Sequence, residues 1–386
     1  MGDGSIGSGR SVTGRSVSGR PHNERRRGRR ILVLGALGVA LAGCSASSVP
    51  TAPPTVVVAT GQDHACVVPG PRKPQVAWSQ LTNPVLSEPG TGVKDQALVW
   101  VGGRWHMLFS QVSVDTSLPG GVRWDVAAAT STDLRHWSKP APWPAQAGVI
   151  GVASPDIVRS PTGTFVATYD SGPGEVGGGR SKLYYRTSRD LQSWSAPHAL
   201  APGLAPRPAD RMIDPALAWT GHGLILGYKA GTDVQHVEIA WSPRGSLAGP
   251  WVAVGRPDIS LYGDTVENLE FLTMNGRWRL VATSNLFDQP WLFSLVGPAT
   301  TPASWLHWTK GTELQIPAQA WDTGPGLSSV GFEHANSVLL CDARSVDGYV
   351  YASYAGSDEL TQFGGWGHAK IGLARSTDLV HWQVPG

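Results

Sequence analysis

A seven-residue phrase closing on tryptophan recurs along this chain. It reads Ser-Thr-Asp-Leu-Arg-His-Trp at 131–137, Ser-Arg-Asp-Leu-Gln-Ser-Trp at 188–194 and Ser-Thr-Asp-Leu-Val-His-Trp at 376–382. Looser forms end at Trp251 and Trp308. The closing tryptophans, Trp137, Trp194, Trp251, Trp308 and Trp382, are 57, 57, 57 and 74 residues apart. A fixed period of this length means repeated supersecondary units whose hydrophobic faces are buried only by stacking on one another.

Each closing phrase has a second phrase upstream. It opens on a polar residue, continues as an apolar strand, turns, and returns as an apolar or aromatic strand. The openings are Asp95, Asp156, Asp214, Glu267 and His334. Such pairs are β-hairpin signals. A third strand follows, as at 124–130 and 182–187, and the Asp-Leu-x-x-Trp turn leads into a short fourth. Four strands per repeat and five repeats predict an all-β fold, a five-bladed β-propeller of four-stranded antiparallel blades, over residues 73–386. Only 16% of residues are charged, while Gly (48) and Pro (30) are plentiful, which suits short strands and tight turns. The 17 tryptophans exceed what a core needs. Trp100, Trp219 and Trp291 are open to two readings, sugar-stacking platforms or blade packing.

The ends of the chain carry other signals. Up to Gly43 there are eight Arg against Asp3 and Glu24, so this segment carries +6 of the net +2 and the remainder −4. The remainder has no basic run with interleaved aromatics, which argues against nucleic-acid binding. Arg25–Arg30 precede an apolar run from Ile31 to Ala42, the architecture of an export signal. The run ends Leu41-Ala42-Gly43-Cys44, which resembles a bacterial lipobox. That resemblance makes 1–44 a signal peptide, Cys44 the lipidated first mature residue, and the protein an exported, membrane-anchored lipoprotein. Ordinary cleavage near Ala42 is the other reading. Residues 45–72, rich in Ser, Pro, Thr and Val, read as a flexible tether. Cys66 and Cys341 are either a disulfide, which an exported chain can keep, or two unrelated thiols.

In a propeller the first strand of each blade lines the channel, so Asp95, Asp156, Asp214, Glu267 and His334 are expected to converge there. Carboxylates gathered near one axis repel and raise at least one pKa, an arrangement suited to acid–base hydrolysis. Glu270 is the rival to Glu267; strand alternation turns it to the other face unless a bulge intervenes. Asp133, Asp190 and Asp378 are expected to satisfy turn amides.

With these residues in place, the chain resembles the family 43 glycoside hydrolases and their five-bladed relatives over residues 85–382. The resemblance implies a general base at Asp95 and a general acid at Glu267, eight residues before the Asn275-Gly276 turn. It implies a pKa-tuning carboxylate at Asp214, which is followed by Pro215. Asp156 and His334 become substrate or channel contacts, His334 facing a water or a central calcium ion; a lone His favours the water. The chain departs from the family pattern at Gln96 and at Asn268-Leu269. The activity implied is inverting hydrolysis of arabinose- or xylose-containing glycans by a monomer that needs no cofactor. Its two catalytic carboxyls should stand about 6.5–9.5 Å apart. A non-catalytic carbohydrate-binding propeller at the cell surface is the alternative. A sialidase-like enzyme would need a Tyr nucleophile and an Arg cluster, and a phosphorylase a basic phosphate pocket.

Overall fold

The computed structural model describes residues 76–172, 174–204, 210–232, 235–259, 266–274, 276–284, 290–322, 348–358 and 369–386, together with the backbone of 337–339. The expectations for 1–44, 45–72, Cys44, Cys66, His334 and Cys341 lie outside these residues.

Four antiparallel sheets of four strands follow one another, each in simple up-and-down order. The first holds β1 (Gly92–Val101), β2 (Arg104–Val114), β3 (Val122–Ser131) and β4 (Ala141–Pro142). The second holds β5 (Ala153–Arg159), β6 (Phe165–Asp170), β7 (Leu183–Ser188) and β8 (His198–Ala199). The third holds β9 (Arg211–Thr220), β10 (Gly223–Gly231), β11 (His236–Ser242) and β12 (Val252–Gly255). The fourth holds β13 (Val266–Met274), β14 (Arg277–Ser284), β15 (Pro290–Ser294) and β16 (Thr312–Glu313). Where the repeats predict a fifth four-stranded blade, the described residues form a three-stranded sheet of β17 (Ser337–Leu339), β18 (Val350–Gly356) and β19 (Lys370–Ser376).

Neighbouring sheets share apolar clusters, as propeller blades do. Val99 and Leu108 of the first meet Ile157 and Tyr169 of the second. Val158 and Val166 of the second meet Leu217 and Leu226 of the third. Ile225 and Ile239 of the third meet Phe271, Leu280 and the wholly buried Trp305. Leu272 and Val281 of the fourth meet Ala352 and Tyr354. Tyr351 and Leu373 of the last sheet meet Leu98 and Phe109 of the first, which returns the packing to its start. Inner strands are thus covered on both faces, so they read as apolar runs rather than as alternation. Trp100, Trp219 and Trp291 are all buried, which is the packing reading.

The segment before β1 helps close this ring. The amide of Val85 donates to Ile371 O (2.8 Å), and Ile371 N donates to Leu86 O (2.9 Å). In the first blade, Trp143 N donates to Val126 O at the corresponding outer edge (2.8 Å). The Asn83 amide extends this pairing. Its Nδ2 donates to Leu373 O at 2.9 Å, and its Oδ1 accepts from Leu373 N at 2.8 Å.

The repeated turns are structural, as expected. Ser188 Oγ accepts from Leu191 N (2.8 Å), and Asp190 Oδ1 accepts from Gln192 N (2.9 Å) and Ser193 N (2.8 Å). The same contacts recur at Ser131/Asp133 and Ser376/Asp378. In all three turns the Leu adopts positive φ and is buried.

Candidate functional site

The four inner strands β1, β5, β9 and β13 share an irregularity that sequence alternation does not reveal. Each carries a β-bulge near its start. Lys94 pairs with Ser110, but the next pair is Ala97 with Leu108. The other three strands repeat this, from Ala153/Asp170 to Asp156/Thr168, from Ile213/Lys229 to Ala216/Gly227, and from Glu267/Thr283 to Glu270/Val281. Three steps on the inner strand match two on its partner, so one residue is extra. At each bulge one residue has left-handed φ: Asp95 (50°), Ser154 (52°), Asp214 (53°) and Asn268 (54°). Asp and Asn tolerate this region better than most residues, and such backbone outliers concentrate at functional sites.

The bulges correct the sequence alignment. The residues at equivalent positions are Asp95, Ser154, Asp214 and Asn268, rather than Asp95, Asp156, Asp214 and Glu267. Glu267 is equivalent to Lys94, Ala153 and Ile213. Glu270 is equivalent to Ala97, Asp156 and Ala216. The bulge also puts Glu267 and Glu270 on one face of the sheet, because their partners Thr283 and Val281 are two residues apart. Depth separates them instead.

Asp95, Asp214 and Glu267 line a single cavity of about 260 Å³, together with Asp170, Lys94, Arg211 and Trp124. Asp156 and Glu270 are not among its lining residues. The carboxyls of Asp156 and Glu270 are buried and hydrogen-bond each other, so this pair sits in the wall rather than the cavity. Burial raises both pKa values, and the charge of Asp156 raises that of Glu270 further. A larger hollow of about 600 Å³ lies among the turns at the far end of blades two and three, near Thr162, Thr220 and His222, and no carboxylate lines it.

Two cavity carboxylates stand next to ammonium groups. Lys94 Nζ lies 3.7 Å from Asp95 Oδ1, with both side chains buried. The buried Lys229, opposite Ile213 on β10, is ion-paired with Glu267 Oε2. Asp170 is different. It ends β6 opposite Ala153 and is 1% exposed. Its Oδ1 accepts from Gly172 N (2.6 Å) and its Oδ2 from Asp214 N (3.3 Å). Burial first, and the charge of Asp214 second, push its pKa up to about 8 against the opposing pull of Arg211 and these amides. The cavity therefore combines a carboxyl that keeps its proton near neutrality with carboxylates beside cations, the division of labour that acid–base chemistry requires.

Asp170 and Lys229 escaped the sequence reading. Their signal is a pair of matching strand ends, Tyr169-Asp170-Ser171-Gly172 and Tyr228-Lys229-Ala230-Gly231, where one charge follows an otherwise apolar strand. Trp124 and Lys94 also belong to the cavity wall, Lys94 Nζ lying 5.7 Å from the Trp124 ring centroid. Among the described residues no group of three or more His, Cys, Asp or Glu is placed to hold a metal ion.

No family model matches the chain, and no curated protein matches it. Solved structures do. An α-L-arabinofuranosidase from Podospora anserina, in complex with cellotriose, superposes with a TM-score of 0.52 at 14% identity, covering 78% of this chain and 96% of that one. An α-L-arabinofuranosidase from Lactobacillus brevis gives 0.53 at 13% identity, covering 80% and 97%. A protein of glycoside hydrolase family 130, mannoside phosphorylases that include hydrolases targeting β-1,2 mannosidic linkages in Candida mannan, gives 0.52 at 15% identity, covering 81% and 97%. At these identities the likeness is one of fold, and the fold that this chain shares with them is a propeller of antiparallel blades.

Proposed function

We propose that this chain is a glycoside hydrolase whose active site is the cavity of Asp95, Asp170, Asp214 and Glu267. One observation carries the reading: four carboxyl side chains line a cavity of about 260 Å³ that also presents Trp124. Stability alone does not favour such a cluster, because buried carboxylates repel and desolvate at a cost. The neighbours of this fold include arabinofuranosidases, and arabinose- or xylose-containing glycans are the proposed substrates. The three-stranded sheet would be the fifth blade, with the segment around Leu86 as its outer edge.

Asp95 is proposed as the base. It lines the cavity with its carboxyl 3.7 Å from the Lys94 ammonium. Hydrolysis would proceed with inversion, the water attacking the face opposite the leaving oxygen. Asp214 would act as the charge that keeps a neighbouring carboxyl protonated. Glu267, the donor implied by the family resemblance, is ion-paired with the buried Lys229 ammonium.

This ion pair is also the observation that favours the second reading, a carbohydrate-binding propeller without turnover. Incubation with arabinan, arabinoxylan and aryl arabinofuranosides and xylosides separates the two. Proton NMR should show sugar released with its anomeric configuration inverted at first turnover. Calorimetric binding to these glycans with no release would overturn the hydrolase and establish the binder. The apolar run ending at Cys44 further supports export as a lipid-anchored protein facing away from the cytoplasm.

A further inference from the structure

We propose that Asp170 is the proton donor of this site, and that Glu267 works beside it as a carboxylate. The inference rests on the hydrolase reading and deepens it.

Three geometric facts carry it. Asp170 is a buried side chain that nonetheless lines the cavity, so a bound glycoside and this carboxyl would meet with little water between them. Its two oxygens are held by the amides of Gly172 and Asp214. A carboxyl has about four lone-pair sites, so these two bonds fix its orientation and still leave a place for the proton. Glu267, by contrast, is bound to the buried ammonium of Lys229. Protonating Glu267 would deprive that ammonium of this counter-charge in a site 2% exposed, which is costly.

The charged surroundings agree. From β9, Asp214 and Arg211 face Asp170, the first favouring its proton and the second opposing it. Arg211 is tied by its Nε to Ser181 Oγ (3.1 Å). Lys182 on the same blade is bound to Glu175 (2.6 Å). Lys94, Asp95 and Glu267 stand around the same cavity. The balance is a carboxyl pushed up to about 8, the form that a general acid needs at neutral pH.

In the step itself, the Asp170 carboxyl gives its proton to the glycosidic oxygen as the bond from that oxygen to the anomeric carbon breaks. Water oxygen bonds to that carbon from the other face while Asp95 takes the water proton. One water is consumed, a sugar hemiacetal and an alcohol are formed, and both carboxyls reset by exchange with solvent.

Aryl α-L-arabinofuranosides and β-D-xylosides with phenols of graded acidity test this with wild type, Asp170→Asn and Glu267→Gln. Asp170→Asn should lose about 10²–10⁴-fold on phenyl glycosides, and far less on dinitrophenyl glycosides, whose leaving group needs no proton. The alkaline limb of its kcat/KM profile near pH 8 should vanish. A loss graded by leaving group in Glu267→Gln, with none in Asp170→Asn, overturns the proposal and leaves the hydrolase standing. A wild type inert on every glycoside removes the hydrolase reading and this proposal together. Carboxyl ¹³C NMR adds a readout independent of turnover. The signal lost in Asp170→Asn should titrate near 8, and titration in the ordinary carboxylate range overturns the proposal in active or inactive protein alike.

Discussion

Two carboxyls that hydrogen-bond each other need a proton between them, and Asp156 and Glu270, buried on the inner strands of the second and fourth blades, are held in that relation. Their ordinary values are 3.8 and 4.5, and burial raises both, Asp156 to about 7. The sign comes from linkage. The folded state binds protons more tightly than the unfolded chain, so the stability from this pair is fully present below the ordinary values and is lost as pH rises through about 7. Each unit of raised pKa corresponds to about 1.4 kcal/mol. Thermal unfolding should therefore give a falling Tm from pH 5 to pH 8. Glu270→Gln, which keeps a hydrogen-bonding partner and removes a titrating group, should flatten that fall; parallel curves would show that the pair does not share a proton. At this scale the sequence names Asp95, Asp214 and Glu267, which do line one cavity, because each opens an apolar strand. It passes over Asp170 and Lys229, because a charge at the end of a second strand looks like the edge of a loop until the register places it opposite the inner strand.

At the scale of the strand, the bulge is what makes the site. It sets Asp95 and Asp214 in left-handed backbone beside the cavity, and it brings Glu267 and Glu270 to the same face. No glycine marks the irregular position in these four strands, so alternation counted along the sequence gives the wrong face. The hairpins and the Ser-x-Asp-Leu-x-x-Trp turns were legible because their signals are local: turn residues, apolar runs and a hydroxyl that caps two amides. A bulge repeated in four blades is a property of strand pairing. Its cost can be measured at Asn268, whose φ is 54°. Urea unfolding of Asn268→Val should show a loss of about 1–2 kcal/mol, since a β-branched residue is strained at positive φ. Asn268→Gly should stay within about 0.5 kcal/mol of wild type. Equal losses in the two variants would mean that contacts of the Asn side chain, rather than backbone strain, decide the position.

For the whole molecule, the 57-residue period already implied stacked blades, because no single repeat could bury both faces of its inner strand. The closing contacts were not legible: nothing in Asn83-Pro84-Val85-Leu86 announces that it will pair with Ile371 and Leu373, far away in sequence. Ring closure of this kind holds inner strands from separate blades around a common cavity, so carboxyls from residues 95, 170, 214 and 267 meet although no two are neighbours in the chain. The most direct test of the account compares kcat/KM of wild type and Asp95→Asn on arabinofuranosides and xylosides, with circular dichroism verifying that both are folded. Wild type should turn these glycosides over, and the variant should lose about 10²–10⁴-fold. A folded Asp95→Asn that turns over as fast as wild type would contradict the assignment of Asp95 as the base.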